Sequence, residues 1–301
     1  MSWPAYLDLH ATGELARRAD AASCLLEQCR VCPRECLAQR LHGERGVCQV
    51  GDQAMVSSYG PHFGEERPLV GTGGSGTIFL THCNLCCVFC QNADISQGDE
   101  GRITSAHELA QIMLTLQRMG CHNINFVTPT HQVPQILRAL VLAAGQGLRL
   151  PLVYNCGGYE SLQTLRLLDG VVDIYMPDFK YADAAAARQY SGVEGYPEVA
   201  RAAFAEMHRQ VGDLVLDRRG IATRGLLVRH LVLPNGLAGT GEVVRFLAGL
   251  SPGTYVNVMD QYRPCYRAHE HPALTRRPTR AEIQEAVRMA RAAGLSRLDG
   301  Y

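Results

Sequence analysis

Four cysteines fall within eight residues in the text TIFLTHCNLCCVFCQN, and three of them, Cys83, Cys87 and Cys90, read C-x3-C-x2-C. Thiolates at that spacing on one loop can converge on a soft metal centre. Three thiolates leave one iron of a 4Fe-4S cluster without a protein ligand, and that vacancy is where chemistry can start. A structural zinc knot is the competing reading; it needs four ligands and would have to recruit Cys86. Cys86 adjoins Cys87, so both cannot easily face one metal while the other two spacings are kept. Cys86 therefore reads as a small apolar residue. A disulfide framework does not suit closely spaced thiols in a chain whose opening text, MSWPAYLDLHATGELARRAD, has early acids and no apolar signal core.

Five of the twelve cysteines lie in residues 1–70, and Cys29, Cys32, Cys36 and Cys48 give C-x2-C-x3-C-x11-C. Pro33, Gly43 and Gly46 between them force turns, which is how a short segment gathers distant thiolates. Four ligands close a coordination shell, so this set predicts a second, structural or electron-relaying site holding zinc or an iron-sulfur cluster. Spacing does not choose between the two.

Two further observations bound the class. Lys plus Arg equals Asp plus Glu at 29 each, giving a formal net charge of zero. There is then no global field to draw in nucleic acid or a membrane surface, and partners must be recognised locally. The longest apolar runs, such as Ala139 to Ala144, fall far short of the roughly 20 residues that span a bilayer. A soluble, cytoplasmic protein is expected.

The elements that must carry the first cysteine loop repeat as strand and helix. Thr77–Leu80, Asn123–Thr128, Leu152–Tyr154, Val171–Met176, Gly225–Leu233 and Tyr255–Met259 read as six strands. Helices are expected over 105–119, 133–144, 161–168, 243–250 and 279–293, with a mostly helical stretch over 183–211. Ser105 to Glu108 and Thr279 to Glu282 are capping-box matches. Leu109, Ile112, Met113, Leu116 and Met119 are expected to face the core. The glycine run Gly71 to Gly76 lacks the Lys-Ser/Thr of a phosphate cradle and reads as a flexible lead-in to the first strand. Apolar strands joined by helices indicate a parallel sheet buried on both faces. The expected fold is thus an α/β open parallel half-barrel of about six β/α units, a partial TIM barrel. A small cysteine-rich segment, 1–70, precedes the core at 71–301.

In such sheets ligands gather where strands end, and there the unusual residues stand. They are Thr128, Thr130 and His131 after the second strand, Asn155 and Cys156 after the third, Asp178 and Lys180 after the fourth, Arg229 and His230 on the fifth, and Asn257, Met259 and Gln261 on one face of the sixth. Arg229 and His230 alternate, so at most one faces a cavity. Asp178 and Lys180 can point to the same side. A surface ion pair contributes only about 0 to 1 kcal/mol, so ligand binding is the better reason for them. Cys156 is a packed small residue or a thiol near the reaction.

The loop Cys83, Cys87 and Cys90, with Phe89 before the last ligand and a strand-like T-I-F-L ahead of it, resembles the signature of the radical S-adenosylmethionine superfamily. The resemblance runs from about Thr72 to Asp260. With the N-terminal cysteines, the text is similar to a branch related to pyruvate formate-lyase activating enzymes. The usual Gly-rich acidic turn is replaced by Thr128-Pro129-Thr130-His131. The resemblance implies that Thr128 and Thr130 offer acceptors for the ammonium of S-adenosylmethionine, that Asn155 lies in a comparable Asn-Gly turn, that Asp178 and Lys180 contact the methionine carboxylate region, and that His230 lies near the adenosine. It implies reductive cleavage to a 5'-deoxyadenosyl radical, an electron donor such as flavodoxin or ferredoxin, and hydrogen abstraction from a protein or peptide in the manner of a glycyl-radical activase. A small-molecule substrate fits the same residues, and so does, from another class, a non-catalytic iron-sulfur or zinc electron carrier or scaffold. No catalytic residue beyond these is assigned.

Overall fold

The apolar runs become strands because each has helix-facing and barrel-facing residues in strict alternation. The computed structural model describes residues 3–98 and 100–300. Its strands are β1 (Ala54–His62), β2 (Ser75–Leu80), β3 (Arg102–Thr104), β4 (Ile124–Val127), β5 (Leu152–Cys156), β6 (Ile174–Pro177), β7 (Val215–Leu216), β8 (Ala222–Leu231), β9 (Tyr255–Met259) and β10 (Arg297–Leu298). The sheet order is β10-β9-β8-β6-β5-β4-β2-β1-β3, with β7 paired to β8. Every neighbour pair from β2 to β10 on this path is parallel. β1 runs antiparallel to β2, and β3 antiparallel to β1. Among the described residues the two ends of the path do not pair, so the barrel stays open. All six expected strands are present, in the expected order, and the α/β half-barrel is the observed architecture.

The two faces of the sheet bury different things. Phe126, Tyr154, Tyr175, Val228 and Val258 face the helices and join the main core. Val153, Ile174, Met176 and Leu227 face inward and form a separate apolar plug with Leu69, Leu214 and Ala222. Above that plug the inward positions turn polar, which leaves room at the C-terminal ends of the strands.

Both capping boxes form, opening the helices Ala106–Arg118 and Arg280–Ala292. The first buries Leu109, Ile112, Met113 and Leu116. Met119, expected in the core, is instead the C-cap residue and is 56% exposed. The stretch 183–211 is two helices, Ala184–Ser191 and Tyr196–Val211.

Residues 1–70, distinct by composition, are not set apart in space. β1 lies in the main sheet along β2. Tyr6, Leu15 and Leu26 belong to the same core as the barrel, and the Tyr6 hydroxyl donates to the Leu150 carbonyl at 3.1 Å. The glycine run also differs from its expected role as a flexible lead-in: Ser75 and Gly76 are in β2, and a Cβ at Gly76 would stand 2.5 Å from the Asn123 carbonyl oxygen. Close backbone approach, not flexibility, is what glycine provides there. Among the described residues no helix is long and apolar enough to cross a membrane.

Candidate active site

The strand ends surround a cavity of about 240 Å³ whose lining includes Cys83, Cys87 and Cys90 together with Thr128, Asn155, Asp178, Lys180 and Arg229. Two turns stand at its wall. Cys86 adopts a left-handed backbone, φ 55°, and so does Thr128, φ 60°, at the end of β4. Such conformations in non-glycine residues persist only where the surroundings enforce them, and they cluster at functional sites. The Cys86 turn sends its sulfur to the Cys83 carbonyl at 3.2 Å and away from the cavity. The three spaced sulfurs face the cavity without it.

Each of those three sulfurs accepts a hydrogen bond. The Leu85 amide donates to Cys83 at 3.3 Å, the Ser191 hydroxyl to Cys87 at 2.9 Å, and the Ser96 hydroxyl to Cys90 at 3.2 Å. Donors aimed at sulfur stabilise thiolate and tune a bound cluster. Burial raises the thiol pKa of Cys83 and of Cys87, with Lys180 acting against it at Cys87. Buried thiols that become charged need a cationic partner, and a soft metal centre is the partner that three convergent sulfurs fit.

Opposite the sulfurs lies a compact charge network. Lys180 Nζ donates to Asp178 Oδ2 at 2.7 Å, Arg229 Nε to Asp178 Oδ1 at 2.7 Å, and Arg229 Nη2 to Asn155 Oδ1 at 2.6 Å. Burial works to raise the Asp178 carboxyl, but Arg229 and Lys180 outweigh it and hold the pKa below the ordinary range. Burial works against the Lys180 cation, and Asp178 reverses that, raising its pKa. The wall thus presents a fixed pattern of donors and carboxylate to the cavity.

Two predicted contacts lie elsewhere. Thr130 is 1% exposed and donates to the buried Glu160 at 2.7 Å, behind the wall. His230 faces the helix layer, its ring between the Phe179 carbonyl at 2.7 Å and the Thr240 hydroxyl at 2.9 Å. Strand parity decides this: Leu227, Arg229 and Leu231 point inward, so His230 must point outward. Arg229 holds the cavity position that His230 was expected to take. His131 also points away, its Nε2 at 2.9 Å from the Thr81 carbonyl, and burial pulls its pKa down to about 3. The carbonyl accepts only, so Nε2 carries the proton and Nδ1 is a bare acceptor.

That His131 lines a second, much smaller space with Cys29, Cys32, Cys36 and Cys48. Its Nδ1 is buried without a partner. A Cβ at Gly46 would stand 2.3 Å from the Cys36 sulfur, and Glu35, Leu37 and Gln49 beside the cysteines take left-handed backbones. The chain is bent sharply, and all four cysteines line that one space. Among the described residues, no group of three or more His, Cys, Asp or Glu side chains is arranged to hold a single metal ion. The two cysteine sets adjoin: Asn84, next to Cys83, lines the second space, and Arg34 beside it donates to the Asn84 carbonyl at 2.7 Å.

Sequence reasoning did not find Ser96, Ser191 or the acidic pair Glu65 and Glu66. Single serines carry no pattern. The glutamates sit in GEERPLV, which reads as surface text until Leu69 is seen in the inner plug.

No protein-family model matches the chain. It is 33% identical over 283 residues to uncharacterized protein MJ0674 of Methanocaldococcus jannaschii, covering 91% of this chain and 77% of that one. Two solved structures show a partial likeness. The crystal structure of methylornithine synthase (PylB) has a TM-score of 0.48 at 16% identity over 72% of this chain, which spans 62% of that structure's length. The structure of TYW1 with a lysine-pyruvate adduct bound has a TM-score of 0.44 at 12% identity, covering 72% of this chain and 73% of that one.

Proposed function

The chain belongs to the family of uncharacterized protein MJ0674 from Methanocaldococcus jannaschii, and we propose that it is a radical S-adenosylmethionine enzyme. The observation that carries the reading is the convergence of three sulfurs, with the neighbouring fourth turned away, on a cavity whose far wall is a donor-carboxylate network. When bound, a 4Fe-4S cluster and S-adenosylmethionine supply reductive cleavage to methionine and a 5'-deoxyadenosyl radical. Cys83, Cys87 and Cys90 would hold the cluster. Asp178 offers an acceptor for the ammonium of the methionine end, Lys180 a cation for its carboxylate, and Asn155 with Arg229 fixes the orientation of that pair. Thr128 shapes the wall beside Asn155, whose carbonyl accepts from the Thr128 amide at 2.9 Å. Leu85, Phe89, Val127 and Met259 give the cavity apolar walls that exclude water from the reacting centre.

For Cys29, Cys32, Cys36 and Cys48 we propose a second iron-sulfur cluster, in contact with the first loop through Asn84; a multinuclear cluster, unlike the zinc alternative, does not need the four sulfurs gathered around one ion, an arrangement not found among the described residues. A flavodoxin- or ferredoxin-type protein in the cytoplasm is the proposed electron donor. For the substrate we propose a protein or peptide, as for a glycyl-radical activase, on the strength of the N-terminal cysteine segment. The second reading is a small molecule, favoured by the limited 240 Å³ volume.

Electron paramagnetic resonance tests the open iron. The reduced, reconstituted protein is expected to give a cluster signal that shifts on adding S-adenosylmethionine, and Cys87→Ala to lose that response. A cluster signal indifferent to S-adenosylmethionine would contradict the reading.

A further inference from the structure

We propose that Arg34 is a positioning residue that couples the two cysteine sites, so that filling the N-terminal set fixes the donors around the sulfurs of the first loop. The proposal rests on the two-cluster reading for what fills the sites, while the coupling stands on hydrogen bonds of the chain itself.

Arg34 lies between Cys32 and Cys36 and lines the space that the four N-terminal cysteines share. Its main chain serves that set, the Arg34 amide donating to the Cys32 sulfur. Its guanidinium reaches the other way. Nε donates to the Asn84 carbonyl at 2.7 Å, and Nη2 stands 3.5 Å from the Leu85 carbonyl. Nη1 donates to the Gly192 carbonyl at 2.9 Å and Nη2 to the Ser191 carbonyl at 3.2 Å. Gly192 caps the helix Ala184–Ser191, where unsatisfied carbonyls attract a cation.

The residues held in this way are those that address the first-loop sulfurs. The Asn84 carbonyl and the Leu85 amide belong to one planar peptide unit, and that amide donates to Cys83. Ser191, held by its carbonyl, donates through its hydroxyl to Cys87. One rigid fork of donors therefore fixes two of the three groups that hydrogen-bond to those sulfurs. At the other end, Glu35 and Leu37 take left-handed backbones on either side of Cys36, which the surroundings must enforce. Ligation at Cys32 and Cys36 supplies that enforcement, because metal binding contributes folding free energy to the segment that carries its ligands. Hydrogen bonds to the sulfurs help to set the reduction potential of a cluster, and donors favour the more negative, reduced state. Emptying the N-terminal site and removing the Arg34 fork loosen the same donors, so both changes lower the potential of the first cluster.

The test is a redox titration of the fully reconstituted chain, followed by electron paramagnetic resonance on the signal that Cys87→Ala abolishes. The native chain, Arg34→Met, Cys32→Ala and the double variant are compared, each checked for its fold by circular dichroism. Arg34→Met is expected to lower the midpoint by about 59 mV, a tenfold change in the one-electron equilibrium, and Cys32→Ala to lower it as well. The double variant is expected to lie no lower than the lower single variant, because both changes act through one route. A native midpoint in either single variant, or two shifts that add in the double, overturns the proposal; a clamp serving only the helix end would not respond to Cys32→Ala. Arg34→Lys keeps the charge but loses the fork and is expected to fall between the native chain and Arg34→Met. Where the methionine variant does not fold, a native midpoint in Arg34→Lys overturns the proposal by itself. The underlying readings are reported separately. Iron for one cluster only in the native chain removes the N-terminal cluster and the coupling with it. A coupled midpoint on a signal indifferent to S-adenosylmethionine removes the radical-enzyme reading alone.

Discussion

Glu160 shows how one buried group makes the stability of the chain depend on pH. Burial raises its carboxyl to about 7, although hydrogen bonds from Thr130 and Tyr154 act in the opposite direction. An acid whose folded pKa lies above its unfolded value stabilises the fold most at low pH, and that contribution is lost as pH rises through the folded pKa. Here the window runs from the ordinary 4.5 to about 7. Denaturation at pH 4.5 and pH 8 is expected to show Glu160→Gln gaining on the native chain by up to about 3 kcal/mol as pH rises. An unchanged difference across that range would mean that Glu160 ionises normally. The text around Tyr154 showed the Asn-Gly turn but not this acid, because burial depends on which helix later covers the strand end. Cys86 was legible, since adjacency alone denies it the geometry of its neighbours, whereas the choice between Arg229 and His230 was not. Alternation says that the two oppose each other; only the packing of Leu227 into the inner plug says which way.

Local rules written into short stretches succeeded where the partner is close in sequence. Both capping boxes form as read, and in the second Glu282 also accepts from the Asn235 amide at 2.7 Å and from Arg276 at 2.8 Å, tying the last helix to the turn after β8. Replacing Thr279 with alanine removes the hydrogen bond to the Glu282 amide and is expected to cost about 1 kcal/mol, read from the urea midpoint at constant m. A loss near zero would show that Glu282 holds the helix start without it. The glycine run before β2 and the strands β1 and β3 were less legible, because their roles are set by contacts at long range. Gly76 is needed by the Asn123 carbonyl just ahead of the neighbouring strand β4, and β1 pairs with β2 across the turn containing Glu65 and Glu66. Met119 followed the helical spacing yet fell at the helix end, where the packed face runs out.

The half-barrel leaves its two edges unpaired and closes its interior by different means at the two ends: an apolar plug of Val153, Ile174, Met176 and Leu227 at one, and the polar cavity at the other. This division explains why chemistry-bearing residues from β4, β5, β6, β8 and β9 meet although they are spread over more than a hundred positions of the chain. It also places the N-terminal cysteines beside the first loop. The measurement that bears most directly on the radical-enzyme reading is anaerobic quantification of 5'-deoxyadenosine from S-adenosylmethionine and dithionite, using the reconstituted native chain, Cys86→Ala and Cys87→Ala. The native chain and Cys86→Ala are expected to form it and Cys87→Ala to form none. Product from none of the three despite a full cluster, or from Cys87→Ala as readily as from the native chain, would contradict the account.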